Sequence, residues 1–277
     1  MIFPTPLIYG VIPSAYEDIQ RDELKGPGIS ASGTKGIGPS SPVQKACYWI
    51  QDFFSDPPRP DIGSDAAHSN ASLIGIHLLH IIRGCGLLNG TGYHSAAVTL
   101  LRPMEDALDC FAAVLLVDGA AETWANDKLK ASDAAKKWTK LPTDMFHPSV
   151  SLPEYRKYLR GAFNKYSHCS RELCNWNLFF VPRSKDTNTG GTIGTLELNT
   201  TPHIIDSNGH SIDAFVTAHL IEFIAVIKKG YSKELSDKGD SLSLLLSYEK
   251  GIVDIMEKHN AHHCQEVRVP PEISRLK

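Results

Sequence analysis

The chain lacks a CxxC pair, lacks an excess of either charge, and lacks any apolar run approaching the ~18 residues of a membrane-spanning helix. Each absence removes a class of function. Its six cysteines, at 47, 85, 110, 169, 174 and 264, are scattered through 277 residues, which argues against a disulfide-stapled scaffold and for reduced thiols in a cytoplasmic protein. Lys and Arg total 28 against 31 Asp and Glu, so no overall field gathers nucleic acid or an anionic membrane. Any polyanion must meet a local patch, and no membrane partner is expected. The opening "MIFPTPLIYGVIPSAYEDIQ" has no basic n-region and places prolines among its apolar residues, so no signal peptide is expected. "HCSRELC" and "HNAHHC" hold soft ligands without a matched second half-site, and "GISASGTK" has no strand before it. Neither a structural zinc, nor a phosphate loop, nor any cofactor is expected.

What is present is helical. Hydrophobic residues make up 42% of the chain, ample for a sizeable core. Residues 1–41, which include "LKGPGISASGTKGIGPSS", read as a flexible arm, and 42–277 as a single domain. "PVQKACYWIQDFF" predicts a helix with Pro42 at its first position and Val43, Ala46, Cys47, Ile50 and Phe54 on one side. Ser64 to Asn89 is apolar nearly all round, predicting a helix in the middle of a bundle that ends at Gly84, Gly86 and "NGTG". A second long helix is expected from Thr91 to Asp118, kinked by Pro103, with short helical pieces over 119–129 and 132–141. Helices follow over 152–170, 211–229 and 241–258. Between them "WNLFFVP" and "GTIGTLEL" flank a polar, Gly-containing stretch, which predicts a hairpin over about 176–198. There is no internal repeat and no alternation of strands with helices. The expected fold class is mostly α, a multi-helix bundle with a small β-hairpin insertion and a flexible N-terminal arm.

The 152–170 segment carries the chemistry. At 100° per residue from Tyr155, the residues Leu159, Ala162, Phe163 and Tyr166 fall with Tyr155 on one apolar stripe, while Arg160, Asn164 and His168 stack at about 140°, 180° and 220° and are expected to face outward. Arg156, Lys157, Arg160, Lys165 and Arg171 stand against Glu154 alone, a local cationic patch suited to a phosphate backbone. Imidazole titrates near neutrality, so His168 is the candidate general base or acid; Arg160 would stabilise phosphoryl charge and Asn164 would orient the imidazole or bind a ribose.

The stretches "SAAVTLLRPMEDALDCFAAVLLVDG" and "YRKYLRGAFNKYSHCS" are similar to bacterial helical proteins allied to the HEPN superfamily (higher eukaryote and prokaryote nucleotide-binding domains). The similarity extends over residues 65–260 in helical layout and 95–170 in residue detail. It implies a metal-independent ribonuclease or RNA-binding protein that works as a homodimer, in a toxin or phage-defence system with an antitoxin or other defence partner. The superfamily's ribonuclease motif sets Arg four to six residues before His. Here Arg160 stands eight before His168, and Gly161 follows the Arg.

Further constellations bear on this. "LLRPMEDALD" sets Arg102, Asp106 and Asp109 on one helical face beside Glu105, an ion-pair network that fixes register. If its helix packs on 152–170, Arg102 supplies the guanidinium that the wide spacing lacks. "KLKASDAAKKWTK" offers Lys136 and Lys137 to a phosphate backbone and Trp138 to a stacked base. His77 and His80, i and i+3 in an apolar helix, are expected as buried, hydrogen-bonded imidazoles; with the 105–109 carboxylates they define a third reading, a metal-dependent bundle enzyme. The second is a non-catalytic partner-binding or regulatory module.

Overall fold

A computed structural model of the chain describes residues 42–55, 60–61, 65–141, 152–167, 171–174, 176, 178–185, 192–198, 206–237 and 239–263. The expected arm over 1–41 lies outside them. In chain order the elements are α1 (Pro42–Ser55), α2 (Asp65–Gly90), α3 (His94–Thr99), α4 (Leu101–Leu116), α5 (Ala120–Ala125), α6 (Ala131–Trp138), α7 (Leu152–Asn164), α8 (Arg171–Cys174), β1 (Leu178–Lys185), β2 (Thr192–Leu198), α9 (Asp206–Gly230), α10 (Ser232–Asp237) and α11 (Gly239–His263). The protein is a mostly α, multi-helix bundle with a small β insertion.

The helix at the centre is α4, where the sequence pattern pointed to α2. Of its sixteen residues twelve are buried, and α2, α3, α5, α6, α7 and α9 all pack against it. Its Ala112, Ala113, Val114, Leu115 and Leu116 are apolar on every side, as a fully surrounded helix must be. By contrast α2 leaves Leu73, His77, His80, Arg83 and Leu87 exposed on one stripe, so the expected burial of His77 and His80 is corrected. The helix also continues through Gly84 and Gly86 to Gly90: a helical glycine costs about 1 kcal/mol relative to alanine, which packing against α1, α3, α4, α5 and α9 outweighs. Among the described residues α2 is the one helix long and apolar enough to cross a membrane by length and composition. Its Ala71, Ile74, Leu78, Leu79, Ile82 and Cys85 lie in the core.

Pro103 does more than the expected kink, dividing the expected long helix in two. Having no N–H, it cannot bond the carbonyl of Thr99, and the helical run breaks at Leu100 into α3 and α4. An aromatic cluster then joins three helices, with Phe54 and Phe111 edge-on at 6.1 Å and Phe111 and Phe223 edge-on at 5.0 Å. The approach of α1 and α4 to α2 requires Gly75, where an added Cβ would come within 2.8 Å of Phe54 Cζ and 3.1 Å of Phe111 Cε2. The hairpin is present: β1 pairs antiparallel with β2 from Leu178↔Leu198 to Lys185↔Thr192, with a register shift between Pro182 and Ser184. A proline that cannot donate to the ladder accounts for an irregularity there. Helix α9 begins at Asp206 rather than 211, and α10, whose first backbone N–H groups are capped by Asp61, was not legible beforehand.

Candidate functional site: a buried charge cluster beside a lysine groove

Helix α4 spaces Arg102, Glu105, Asp106 and Asp109 at i, i+3, i+4 and i+7, which brings all four to one side. On α7, Arg156 and Arg160 stand one turn apart and face them. Arg156 lies opposite Asp109, Arg160 reaches Glu105, Asp106 and Asp109, and Arg102 Nη1 donates to the carbonyl of Arg160 at 3.3 Å, so the two helices run antiparallel. Asp109 is the hub. Its Oδ1 accepts from Trp138 Nε1 at 2.9 Å and lies 3.5 Å from Arg156 Nε, and its Oδ2 accepts from Arg160 Nη2. Arg156 also bonds Glu222 of α9 and sits 5.4 Å from the centroid of the Trp138 ring. The expected ion-pair network is therefore present, and Arg102 does adjoin α7 as the spacing argument required.

Three guanidinium groups thus meet four carboxyls: Glu105, Asp106, Asp109 and Glu222. The count balances if one carboxyl holds a proton, and Glu105 is that group. It is fully buried, its oxygens accept no hydrogen bond among the described residues, and Arg160 Nε comes no closer than 3.9 Å. Burial pushes its pKa up to about 8 against the pull of the arginines, so it is protonated at neutral pH. Burial raises Asp106 and Glu222 too, offset by Arg102 and Arg156 respectively. His219, one turn from Glu222, is driven down to about 4 by burial and then by the charge of Arg156. A neutral ring donates Nδ1–H to the Phe215 carbonyl at 2.7 Å, and Nε2 has no partner among the described residues.

These positions revise the site read from sequence. Arg156 is 1% exposed and paired with Glu222, so its expected role as an RNA contact is not available. The Arg160 side chain, 14% exposed, turns inward to the acidic face of α4 instead of sharing an outward face with Asn164. The wheel failed because its buried arc stops at the apolar residues; carboxylates buried on the neighbouring helix extend it through two arginines. Among the described side chains of α7, Pro153, Lys157, Gly161 and Asn164 are exposed, and Lys165 is exposed just after it. Helix α7 also ends at Asn164, followed by a turn over 165–167, so regular helical geometry does not carry His168 above Asn164. His168 itself, and the side chain of Arg171, lie outside the described residues. Trp138 is fully buried with its N–H on Asp109, so it cannot stack on a base.

The lysines of α6 fare differently. While Ala134, Ala135 and Trp138 turn into the core, Lys136 and Lys137 are exposed on the other side, Lys136 with a surface ion pair to Asp133 at 3.1 Å. Together with Lys128 and Lys140 they wall an open groove of about 720 Å³, where Asp118 and Asp133 are the opposing charges among the described residues.

No three His, Cys, Asp or Glu side chains come together as a metal site among the described residues. His77 and His80 are exposed on α2 while Glu105 and Asp109 are buried, so the third reading has no assembled site. The sequence reading missed Glu222 and His219. Their signal was present: in "AHLIEFIAVIKK" an acid and an imidazole interrupt an apolar helical run, and a buried acid requires a partner. It also missed the relay Asp213–Asn89–His94, in which Asn89 Nδ2 donates to Asp213 Oδ1 at 2.6 Å and Asn89 Oδ1 faces His94 Nδ1 at 2.7 Å. Comparison with family models, curated proteins and solved structures finds no match for the chain.

Proposed function

We propose that the chain is a HEPN-like RNA-binding protein that holds a single strand on the lysine groove of α6, with Lys157 of the neighbouring α7 and Lys165 just after it adding cationic residues. The observation that carries the reading is the groove itself: four lysines face two aspartates in a chain whose net charge is −3. A flexible phosphate backbone can track such a row, and counterion release supplies the affinity. The arginines serve the bundle instead. Withdrawing Arg160 or Arg156 to meet a phosphate strands buried carboxylates, a cost of roughly 3–5 kcal/mol for a broken buried pair. Fluorescence anisotropy of a labelled uridine-rich RNA tests this. With four lysines engaged, affinity falls roughly fifty-fold between about 50 and 200 mM salt, and Lys136→Gln with Lys137→Gln roughly halves the logarithmic slope. A salt-independent affinity, or one untouched by the double variant, contradicts the reading.

A second reading, metal-independent cleavage, draws on one contact. Arg102, 17% exposed, reaches the Arg160 carbonyl, so the C-terminal end of α7, four residues before His168, lies toward the Arg102 end of α4. Cleavage of the same RNA in excess chelator that disappears in His168→Ala, with folding intact, supports it. Binding without cleavage removes it and leaves the first reading standing.

A further inference from the structure

Along the solvent side of α2, Leu73, His77, His80, Gly84 and Leu87 follow one another at intervals of four, three, four and three. That is the 3.5-residue spacing of a coiled-coil seam, here on the side opposite the buried Ala71, Ile74, Leu78 and Leu79. Leu73 and Leu87, 64% and 70% exposed, are the two most exposed large apolar side chains among the described residues. Between them stand His77 and His80, both exposed and neither in a hydrogen bond or ion pair among the described residues. Arg83, one turn beyond His80, is tied to α1, donating to Gln51 at 2.8 Å and lying 5.5 Å from the centroid of the Tyr48 ring. Two imidazoles one turn apart on a helix, with Cβ atoms about 5–6 Å apart, can meet one zinc ion at the ~2.0–2.1 Å of a zinc–nitrogen bond. A structural zinc is closed by four ligands, and one chain brings no third to this pair among the described residues.

We propose that two copies of the chain pair through α2 about a two-fold axis and close a zinc site from His77 and His80 of each. An antiparallel pairing centred between the two imidazoles sets His77 opposite His80 of the second copy, so four nitrogens converge on the axis. The same register sets Leu73 opposite Gly84 of the second copy. A Cβ built on Gly84 comes within 4 Å of Leu100 Cδ1 alone, at 3.9 Å, so the glycine offers a hollow to the leucine. A parallel pairing lays glycine on glycine, leaves that hollow unfilled and aligns the two helix dipoles unfavourably. From Leu73 to Leu87 the seam runs about 21 Å. That is a smaller contact than the roughly 1,600 Å² of a standard interface, so the pair depends on its metal. The site stands independently of the RNA reading.

Zinc is the probe, added to the tag-free full chain after stripping with chelator, with mass read by light scattering and bound metal by atomic emission. The stripped chain is a monomer, and zinc converts it to a dimer that holds one ion per two chains. His77→Ala and His80→Ala, both at exposed positions, keep the wild-type melting temperature, stay monomeric and bind zinc roughly a hundredfold more weakly or worse. Leu73→Glu keeps both imidazoles and weakens the dimer roughly tenfold or more, which separates the seam from the ligands. One zinc per chain without dimerisation, a dimer that forms equally in chelator, a zinc-bridged dimer that survives both His variants, or no retained zinc at all overturns the proposal.

Discussion

Replacing Glu105 by Gln removes the one carboxyl of the buried cluster that has no hydrogen-bond donor among the described residues, and its effect on stability against pH follows from the geometry. In the folded chain Glu105 titrates near 8, against 4.5 for the unreacted carboxyl. Between these values the native state keeps a proton that the unfolded state has released, so unfolding free energy falls as pH rises and the contribution is lost through pH 8. From about pH 6.5 to about pH 8 the loss integrates to roughly 1.5 kcal/mol. His219 does not share this window, since its native value of about 4 lies below the unfolded value of 6.5 and its effect is complete once pH passes the latter. Burial also raises Glu222, so the difference between wild type and Glu105→Gln isolates residue 105 better than either curve alone. Urea denaturation followed by tryptophan fluorescence at the two pH values is the assay, with the wild type losing roughly 1.5 kcal/mol more than the variant. Parallel losses refute the reasoning. A variant that is weaker than wild type by several kcal/mol at the lower pH also refutes it, since Glu105 would then be an ionised partner of Arg160.

The remaining predictions concern the partners of the same cluster and the two surfaces. Glu222→Ala removes one of the two carboxylates that Arg156 meets in the core, leaving Asp109 shared with Arg160, and lowers unfolding free energy by roughly 3–5 kcal/mol, measurable by the same denaturation. Trp138→Phe keeps the packing but removes the indole donor from Asp109, costing roughly 1–3 kcal/mol with RNA affinity unchanged, because the indole does not meet a base. His219→Phe removes a buried imidazole that must gain a proton on unfolding in acid, so the variant is spared up to roughly 3 kcal/mol of the stability that wild type loses from pH 6.5 down to pH 4. Substituting exposed Lys157 by Gln changes stability by less than about 0.5 kcal/mol and weakens RNA binding modestly.

Much of the architecture was legible because it follows from periodicity. Pro42 and Pro103 marked a helix start and a helix break by the missing N–H, and the hairpin was marked by β-prone runs around a polar turn. Centrality was not legible. Both α2 and α4 are strongly apolar, and only the packing reveals that α4 tolerates Asp109 inside because two arginines and an indole meet it, and Glu105 because it keeps its proton. The acidic face of α4 was recognised as an ion-pair network, but its partners were misplaced: an arginine drawn on a helical wheel looks like a surface residue unless the buried acid opposite is known. For the same reason Trp138 looked like a stacking platform among lysines while its indole N–H was committed to Asp109. The lysines of α6 held their predicted exposure: Ala134, Ala135 and Trp138 take the inward side of that helix and leave Lys136 and Lys137 on the other.

Photo-crosslinking of a 4-thiouridine RNA to the full chain, with the linked peptides mapped by mass spectrometry, tests most directly that lysines rather than arginines meet the strand. The account predicts adducts in the segment that carries Lys128, Lys136, Lys137 and Lys140, and their loss when Lys136 and Lys137 become Glu. Adducts confined to the segment around Arg156 and Arg160, or none at all at a concentration where the protein is saturated with other polyanions, contradict it.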